Sequence, residues 1–160
     1  MTSNIVIGSL GYVFHNDRVL LLKRANPPFQ GYWSAPGGKM DYGESPQECC
    51  IREIHEETGI DIANSSLSLR AIQTVLDVAV PIHWQLFIFR IALNTVTDLN
   101  PHPDHLEGEL RWFDVSDLAT IPRPYTDRQH WGNVLTETPS IWQGKFVYDT
   151  PDKLDDEIIY

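Results

Sequence analysis

Residues 37–60 read G-G-K-M-D-Y-G-E-S-P-Q-E-C-C-I-R-E-I-H-E-E-T-G-I. Glu53, Glu56 and Glu57 stand at i, i+3 and i+4, a spacing that gathers carboxylates on one face of a helix. Each like-charged pair there costs an isolated helix roughly 0.2–0.5 kcal/mol. A solvated acidic face is the plainer reading of such a cluster. A hard cation such as Mg2+ or Mn2+ would take these oxygen ligands and relieve the repulsion. Two neighbouring features favour the metal. Cys49, Cys50 and Ile54 give the helix an apolar face that docks it on a core. Directly upstream, Pro36-Gly37-Gly38-Lys39 reads as a tight loop whose glycines let backbone groups approach a metal or phosphate. Arg52 adjoins the cluster, four residues from both Glu48 and Glu56. The combination reads as a metal–diphosphate site.

The helix that carries these groups is signposted at both ends. Ser45 is a good N-cap, Pro46 suits the first helical position, Glu48 completes a capping box, and Gly59 ends the helix after residue 58. Strands are expected over 5–14 and 18–24, joined by His15-Asn16-Asp17 in a hairpin. Further strands are expected over 67–78, 83–93, 110–114 and 145–148. A second helix is expected over 126–136, opened by Thr126 or Asp127 and carrying Trp131, Val134 and Leu135. Residues 1–150 read as one domain. Residues 151–160 read as an acidic tail, and the segment 149–160, with five acids and one lysine, is expected to end in mobile residues. The order of elements suggests an α+β domain around a mixed sheet.

The chain has 160 residues, 42% of them apolar and 21% charged, values suited to one globular domain. No window approaches 18 apolar residues in a row, which excludes a helical membrane span. The N-terminal stretch lacks the basic and apolar regions of a secretory signal, so a cytoplasmic location is expected. Twelve Lys and Arg against 22 Asp and Glu give a net charge of −10. That balance argues against a long nucleic acid as partner, which needs a basic surface. A small anionic substrate stays compatible, because a bound divalent cation reverses the local sign. The two cysteines, Cys49 and Cys50, are adjacent and cannot form an unstrained disulfide with each other.

The stretch 38–60 resembles the Nudix box, G-x5-E-x7-R-E-U-x-E-E-x-G-U with U aliphatic. Gly38, Glu44, Arg52, Glu53, Ile54, Glu56, Glu57, Gly59 and Ile60 match every specified position. The preceding strand and the G-x-W-x-x-P-G-G approach extend the likeness through the first half of the chain. The resemblance implies a compact α/β/α sandwich around a mixed sheet, and Mg2+-dependent hydrolysis of a nucleoside diphosphate linked to another group. It makes Glu53, Glu56 and Glu57 metal ligands, one of them able to deprotonate water. Glu44 would be a further carboxylate at or behind the metal, and the carbonyl of Gly37 or Gly38 would complete the metal's shell. Arg52 would orient the glutamates. The chemistry agrees, since water attack on a diphosphate must overcome the negative charge of the substrate.

Outside the box, Glu109 sits at the edge of the strand L-R-W-F-D. A glutamate at that place in Nudix relatives is often a metal ligand or general base, so Glu109→Gln is expected to lower turnover more than Glu107→Gln. His102, Asp104 and His105 read as exposed residues of a proline-bearing loop rather than a transition-metal site. Arg24, at a strand end, would hold a substrate phosphate, and Lys39 in the glycine loop joins it on the substrate side. Trp33 and Trp112 read as core or wall aromatics.

The segment P-R-P-Y-T-D-R-Q-H-W, 122–131, resembles one found in diphosphatases of oxidised purine nucleoside triphosphates. That likeness implies that Tyr125 stacks on the base and Asp127 meets its edge; a helix N-cap is the structural alternative for Asp127. Some of these relatives carry an asparagine after the tryptophan, where this chain has Ser34, whose hydroxyl cannot make a two-point amide contact. The expected activity is cleavage of a purine nucleoside triphosphate to monophosphate and pyrophosphate. An ADP-ribose or nucleoside-diphosphate-sugar pyrophosphatase, and a non-catalytic ligand sensor, are the alternatives. A homodimer is compatible with the sequence but is not indicated by it.

Overall fold

A computed structural model describes residues 4–62, 67–95, 98–100, 107–136, 140–150 and 153–160. The chain first lays down β1 (Asn4–His15) and β2 (Arg18–Arg24), turning through Asn16, whose φ of 52° is a conformation asparagine tolerates. Two short strands follow, β3 (Trp33–Ser34) and β4 (Gly37–Lys39), so the glycine segment expected to be a loop is part of the sheet. Helix α1 spans Pro46–Thr58, with the Ser45–Glu48 capping box formed in both directions and Gly59 closing it at φ 76°.

Beyond α1 come β5 (Leu67–Asp77), β6 (Ile82–Ala92) and β7 (Gly108–Asp114), and later β8 (Trp142–Thr150) and β9 (Lys153–Ile159). The second expected helix is broken into α2 (Tyr125–Gln129) and α3 (Trp131–Leu135), with His130 between them. His102, Asp104 and His105 lie outside the described residues.

The strands form one mixed sheet in the order β3-β2-β1-β6-β5-β8-β9, with β4 pairing β1 and β7 pairing β2. Strands β1 and β6 run parallel from Asn4↔Ile82 to Phe14↔Ala92. Strand alternation sends neighbouring residues to opposite faces, and each face has its own core. Val13, Leu20, Phe89 and Ile91 pack with Cys50, Ile54 and Ile60 under α1. Tyr12, Phe14, Ile88 and Ala71 pack with Val134 and Leu118 on the other face. This is the α/β/α sandwich around a mixed sheet that the resemblance implied.

The acidic tail is the exception. Residues 153–159 are not trailing chain but the edge strand β9, paired antiparallel to β8 from Gly144↔Ile159 onward. Net charge governs solubility rather than pairing, and an edge strand tolerates charges because one side faces water. Asp155, Asp156 and Glu157 there also discourage edge-to-edge association.

Gly11 lets α1 sit close to β1. A Cβ at this position would stand 2.8 Å from Ile91 Cδ1, 2.9 Å from Ile54 Cδ1 and 3.0 Å from Cys50 Sγ. A Gly11→Val protein is therefore expected to lose about 1–3 kcal/mol of stability by overpacking, read as a lower urea midpoint. Gly11→Ala should lose less, because the methyl groups it meets can shift.

Candidate active site

One cleft of about 950 Å3 opens on the α2 face of the sheet and runs from β4 and α1 to the start of α2. Its lining divides by chemistry into an acidic part and an apolar part that touch. Glu53, Glu56, Glu57, Glu107, Asp41, Arg52 and Lys39 belong to the first. Leu10, Val75, Trp84, Leu86, Phe29 and Pro124 belong to the second, with Gln73, Ser34, Thr126 and Asp127 as its polar groups, and Lys39 meets Trp84 where the two join. Arg24 also faces the cleft.

At the acidic end, Arg52 organises the carboxylates. Its Nε and Nη2 donate to the two oxygens of Glu44 at 2.7 and 2.9 Å. Its Nη1 donates to Glu53 at 2.9 Å and to Glu56 at 3.1 Å, and Nη2 reaches the Lys39 carbonyl at 3.0 Å. The Glu44 carboxyl is held below its usual range by the Arg52 hydrogen bonds. Glu44 also accepts from the Asp41 amide at 2.9 Å, so it braces Arg52 rather than facing the cleft.

Glu57 is only 2% exposed. Its Oε2 accepts from the Gly37 amide at 2.7 Å. Burial pushes its pKa up to about 8, with Glu53 and Glu107 adding to the rise and the Gly37 amide and Arg24 opposing it. Burial raises Glu53 as well, against the pull of Arg52. Gly38 lies against Glu53, where a Cβ would stand 2.5–2.6 Å from the carboxylate and displace it.

As placed, the carboxylates turn toward Arg52, and among the described residues no three His, Cys, Asp or Glu side chains converge on one point. The donor chemistry nonetheless fits a hard divalent cation. All the candidate groups are oxygens, and a buried carboxylate held by one amide lacks the positive charge that would keep it ionised.

Glu109 is not at this site. It is exposed and accepts from Arg111 Nη2 at 2.5 Å, and the Arg111 guanidinium lies over Trp33 and Phe113, 5.2 and 5.8 Å from the ring centroids. Residues two apart on a strand share a face, and Phe113 on this one packs into the α3-side core, leaving Glu109 at the exposed rim, away from the residues that line the cleft. Glu107 precedes β7, where its carbonyl accepts from the Ala25 amide at 3.1 Å. That bond carries the side chain to the cleft beside Glu53 and Glu57.

Arg24 donates from Nε to the Pro28 carbonyl at 2.8 Å, so part of its guanidinium shapes the loop 25–32 that forms one wall. Phe29, at φ 62°, stands in that loop with its ring edge-on to Tyr148, 6.1 Å between centroids. Lys39 holds its ammonium 5.7 Å from the Trp84 ring centre. Ser34 is 6% exposed on the cleft floor. Trp33 is buried and packs edge-on to Phe113 at 4.7 Å, a core aromatic.

Tyr125 does not reach the cleft. Its hydroxyl donates to Glu157 of β9 at 3.1 Å, and its ring stands edge-on to Phe146. Asp127, two residues on, points the other way, because a helix turns about 200° over two residues. It is no N-cap: that place belongs to Pro124. The Tyr12 hydroxyl donates to Asp127 Oδ2 at 3.1 Å. Burial pushes the Asp127 pKa up to about 6, against the lowering influence of Arg123 and the Tyr12 bond. The aromatic surface of the apolar end comes from Phe29 and Trp84, which the sequence reading missed. Trp84 stood within an apolar strand pattern, and no local signal marks Phe29.

A NUDIX domain model matches residues 7–133, a span that holds both ends of the cleft. The chain belongs to the Nudix family. The uncharacterized Nudix hydrolase YvcI of Bacillus subtilis is 36% identical over 138 residues, covering 86% of this chain and 82% of that one. The MutT protein of Bacillus halodurans superposes with a TM-score of 0.78 at 31% identity, covering 96% of this chain and 97% of its own. The 8-oxo-dGTP diphosphatase of Proteus vulgaris is 34% identical over 53 residues, 33% of this chain and 47% of that one. As a Nudix hydrolase, this protein is an enzyme acting on pyrophosphate bonds, of a family that generally uses a divalent metal and small nucleotide substrates. Among the described residues no helix is long and apolar enough to cross a membrane.

Two predictions follow from the site's electrostatics. Arg52→Lys keeps a charge but loses the fork that holds Glu44, Glu53 and Glu56 at once. Turnover should fall about ten- to a hundredfold in steady-state assays, while the circular dichroism spectrum stays native. The second concerns His130, which is fully buried and whose pKa is lowered from 6.5 to about 3 by burial and by Arg123. Between those pH values the folded protein binds fewer protons at His130 than the unfolded chain does, so this contribution to stability is lost as pH falls. Urea unfolding at pH 7 and pH 4.5 should show a smaller acid loss for His130→Gln than for the wild type.

Proposed function

We propose that this Nudix hydrolase cleaves a purine nucleoside triphosphate, oxidised purines included, to the monophosphate and pyrophosphate, with Mg2+ or Mn2+ as the cation. The observation that carries this reading is the polarity of one continuous cleft. Its carboxylate end suits a cation with a polyphosphate, and its apolar end suits a flat base with hydrogen-bonding edges. The similarity to the diphosphatase of Proteus vulgaris supports the same class.

In this proposal Glu53, Glu56 and Glu57 hold the cation, with the carbonyl of Gly37 or Gly38 beside them. When bound, the cation shields the phosphate charge and makes a water molecule acidic enough to attack at neutral pH. Arg52 keeps the carboxylates from spreading as the substrate enters. Arg24 and Lys39 meet phosphate oxygens at the middle and mouth of the cleft. A carboxylate of Glu53, Glu57 or Glu107 accepts the proton of the attacking water. Burial raises the proton affinity of Glu53 and Glu57 toward the range a base needs, and the neighbouring Glu107 charge adds to the rise at both. Phe29 and Trp84 offer stacking surface, worth roughly 1–3 kcal/mol per base. Asp127 and Ser34 face the base edge, where a carboxylate accepts from ring and exocyclic N–H groups.

Incubation with nucleoside triphosphates, oxidised purine triphosphates and ADP-ribose, followed by separation of products, tests the reading. The expected outcome is pyrophosphate and a purine monophosphate, abolished by chelation and restored by Mg2+. Hydrolysis of ADP-ribose alone, with no pyrophosphate formed from any triphosphate, would overturn it. Glu57→Gln should lower turnover about a hundredfold or more in a folded protein. Glu107→Gln should lower turnover more than Glu109→Gln, the reverse of the order expected from sequence, because only Glu107 faces the cleft.

A further inference from the structure

Behind the apolar end of the cleft, a chain of buried hydrogen bonds runs from the Thr126 carbonyl through three side chains and returns to Asp127. Gln73 Nε2 donates to the Thr126 carbonyl at 2.9 Å and stands 2.6 Å from His130 Nδ1. His130 Nε2 stands 3.2 Å from the Tyr12 hydroxyl, which in turn donates to Asp127 Oδ2 at 3.1 Å. Tyr12, Gln73, Asp127 and His130 are all at most 4% exposed.

The direction of the chain is fixed at its far end. A backbone carbonyl only accepts, so the Thr126 carbonyl determines which end of the Gln73 amide is nitrogen. The second hydrogen of that nitrogen then points at His130 Nδ1, which must accept. Neutral His130 therefore carries its proton on Nε2 and donates it to the Tyr12 oxygen. Tyr12 is left with one use for its own proton, and Asp127 Oδ2 receives it. Every member is satisfied, as buried polar groups of this kind must be. His130 cannot slide out of this arrangement, since its backbone forms the junction of α2 and α3 and its carbonyl accepts from Asn133 and Val134.

We propose that Tyr12, His130 and Gln73 are positioning residues for nucleotide selection, acting through Asp127. The chain commits Oδ2 of Asp127 to Tyr12 and fixes the rotation of the carboxyl group. Oδ1 then meets the substrate in one orientation, with the weak contact to Thr126 Oγ1 at 3.4 Å as its neighbour. None of the three residues belongs to the box, and the chain joins β1, β5 and the α2–α3 junction to a single carboxylate. This inference rests on the reading of Asp127 as the group that meets the base.

Tyr12→Phe is the test, because it removes one oxygen and keeps the ring that packs edge-on against His130 and Trp131. Steady-state constants are measured with Mg2+ and the guanine, adenine, cytosine and uracil triphosphates, alongside melting temperature, for this variant and for Asp127→Asn. The expected result is KM for the preferred purine raised about tenfold, the size of a lost hydrogen bond to a charged group. The purine-to-pyrimidine preference should fall by a similar factor, and kcat should stay within about twofold, since the carboxylate end is untouched.

A lower melting temperature with unchanged KM ratios would make Tyr12 a core residue only and overturn the proposal. A shifted preference in Asp127→Asn with none in Tyr12→Phe would overturn the chain but keep the reading of Asp127. No shift in either would remove the base-reading role itself. If Tyr12→Phe does not fold, the His130 pair decides. His130→Gln keeps an N–H near the place of Nε2 and should hold the wild-type preference, whereas His130→Leu should lose it. Equal preferences in those two proteins would overturn the proposal as well.

Discussion

Like-charged carboxylates crowded on one helix face repel, and Arg52 is what holds them together. Its guanidinium bonds Glu44, Glu53 and Glu56 and stands 3.8 Å from Asp41. A planar fork with several donors can serve these partners at once, which an ammonium cannot. The arrangement keeps the acidic end assembled without a ligand. It also leaves Glu57, buried beyond the reach of that fork, as the carboxylate whose proton affinity rises most steeply toward neutrality.

Burying charge is costly unless something compensates, and the sandwich does this twice, by different means. At the box, the compensation is Arg52 together with the Gly37 amide, and the chemistry of the donors leaves room for a cation. At the other end it is the charge of buried Arg123 together with the Tyr12 hydroxyl, which His130 and Gln73 back. Burial outweighs both, so the Asp127 pKa is pushed up to about 6. The hydrogen-bond networks of the two ends are separate, and Arg24 is the residue whose charge acts on both Glu57 and Asp127.

The cleft also depends on packing that carries no chemistry. Helix α1 delivers Glu53 and Glu57 to the β4 edge because Cys50 and Ile54 seat it over Gly11. On the opposite face, Val134 and Trp131 of α3 anchor the segment that presents Asp127. The sheet is the common reference for both. Its strands β1, β5 and β6 supply the floor of the apolar end through Leu10, Gln73, Val75, Trp84 and Leu86.

Much of this was legible in the residues themselves, wherever the physics is local. The Ser45–Glu48 capping box, Pro46 and Gly59 set the bounds of α1 within a few residues of chain. The i, i+3, i+4 spacing sets Glu53, Glu56 and Glu57 along one side of α1, and the β1–β2 hairpin needed only its turn residues. Interactions between distant residues had no such signature. Asp127 meets Tyr12 across 115 positions and His130 meets Tyr12 across 118, and no spacing rule spans that distance. The choice between Glu107 and Glu109 turned on where β7 begins. The fate of Tyr125 turned on β9, a strand that looked like a charged tail because composition reports solubility and is silent on pairing. Phe29 and Trp84 became the aromatic walls only when the loop after β2 was laid against β5 and β6. The sequence by itself determined the helix that carries the box, since its caps and spacing act within a few turns. The tertiary structure decided which side chains face the cleft, since that depends on strand register and on partners brought from far along the chain.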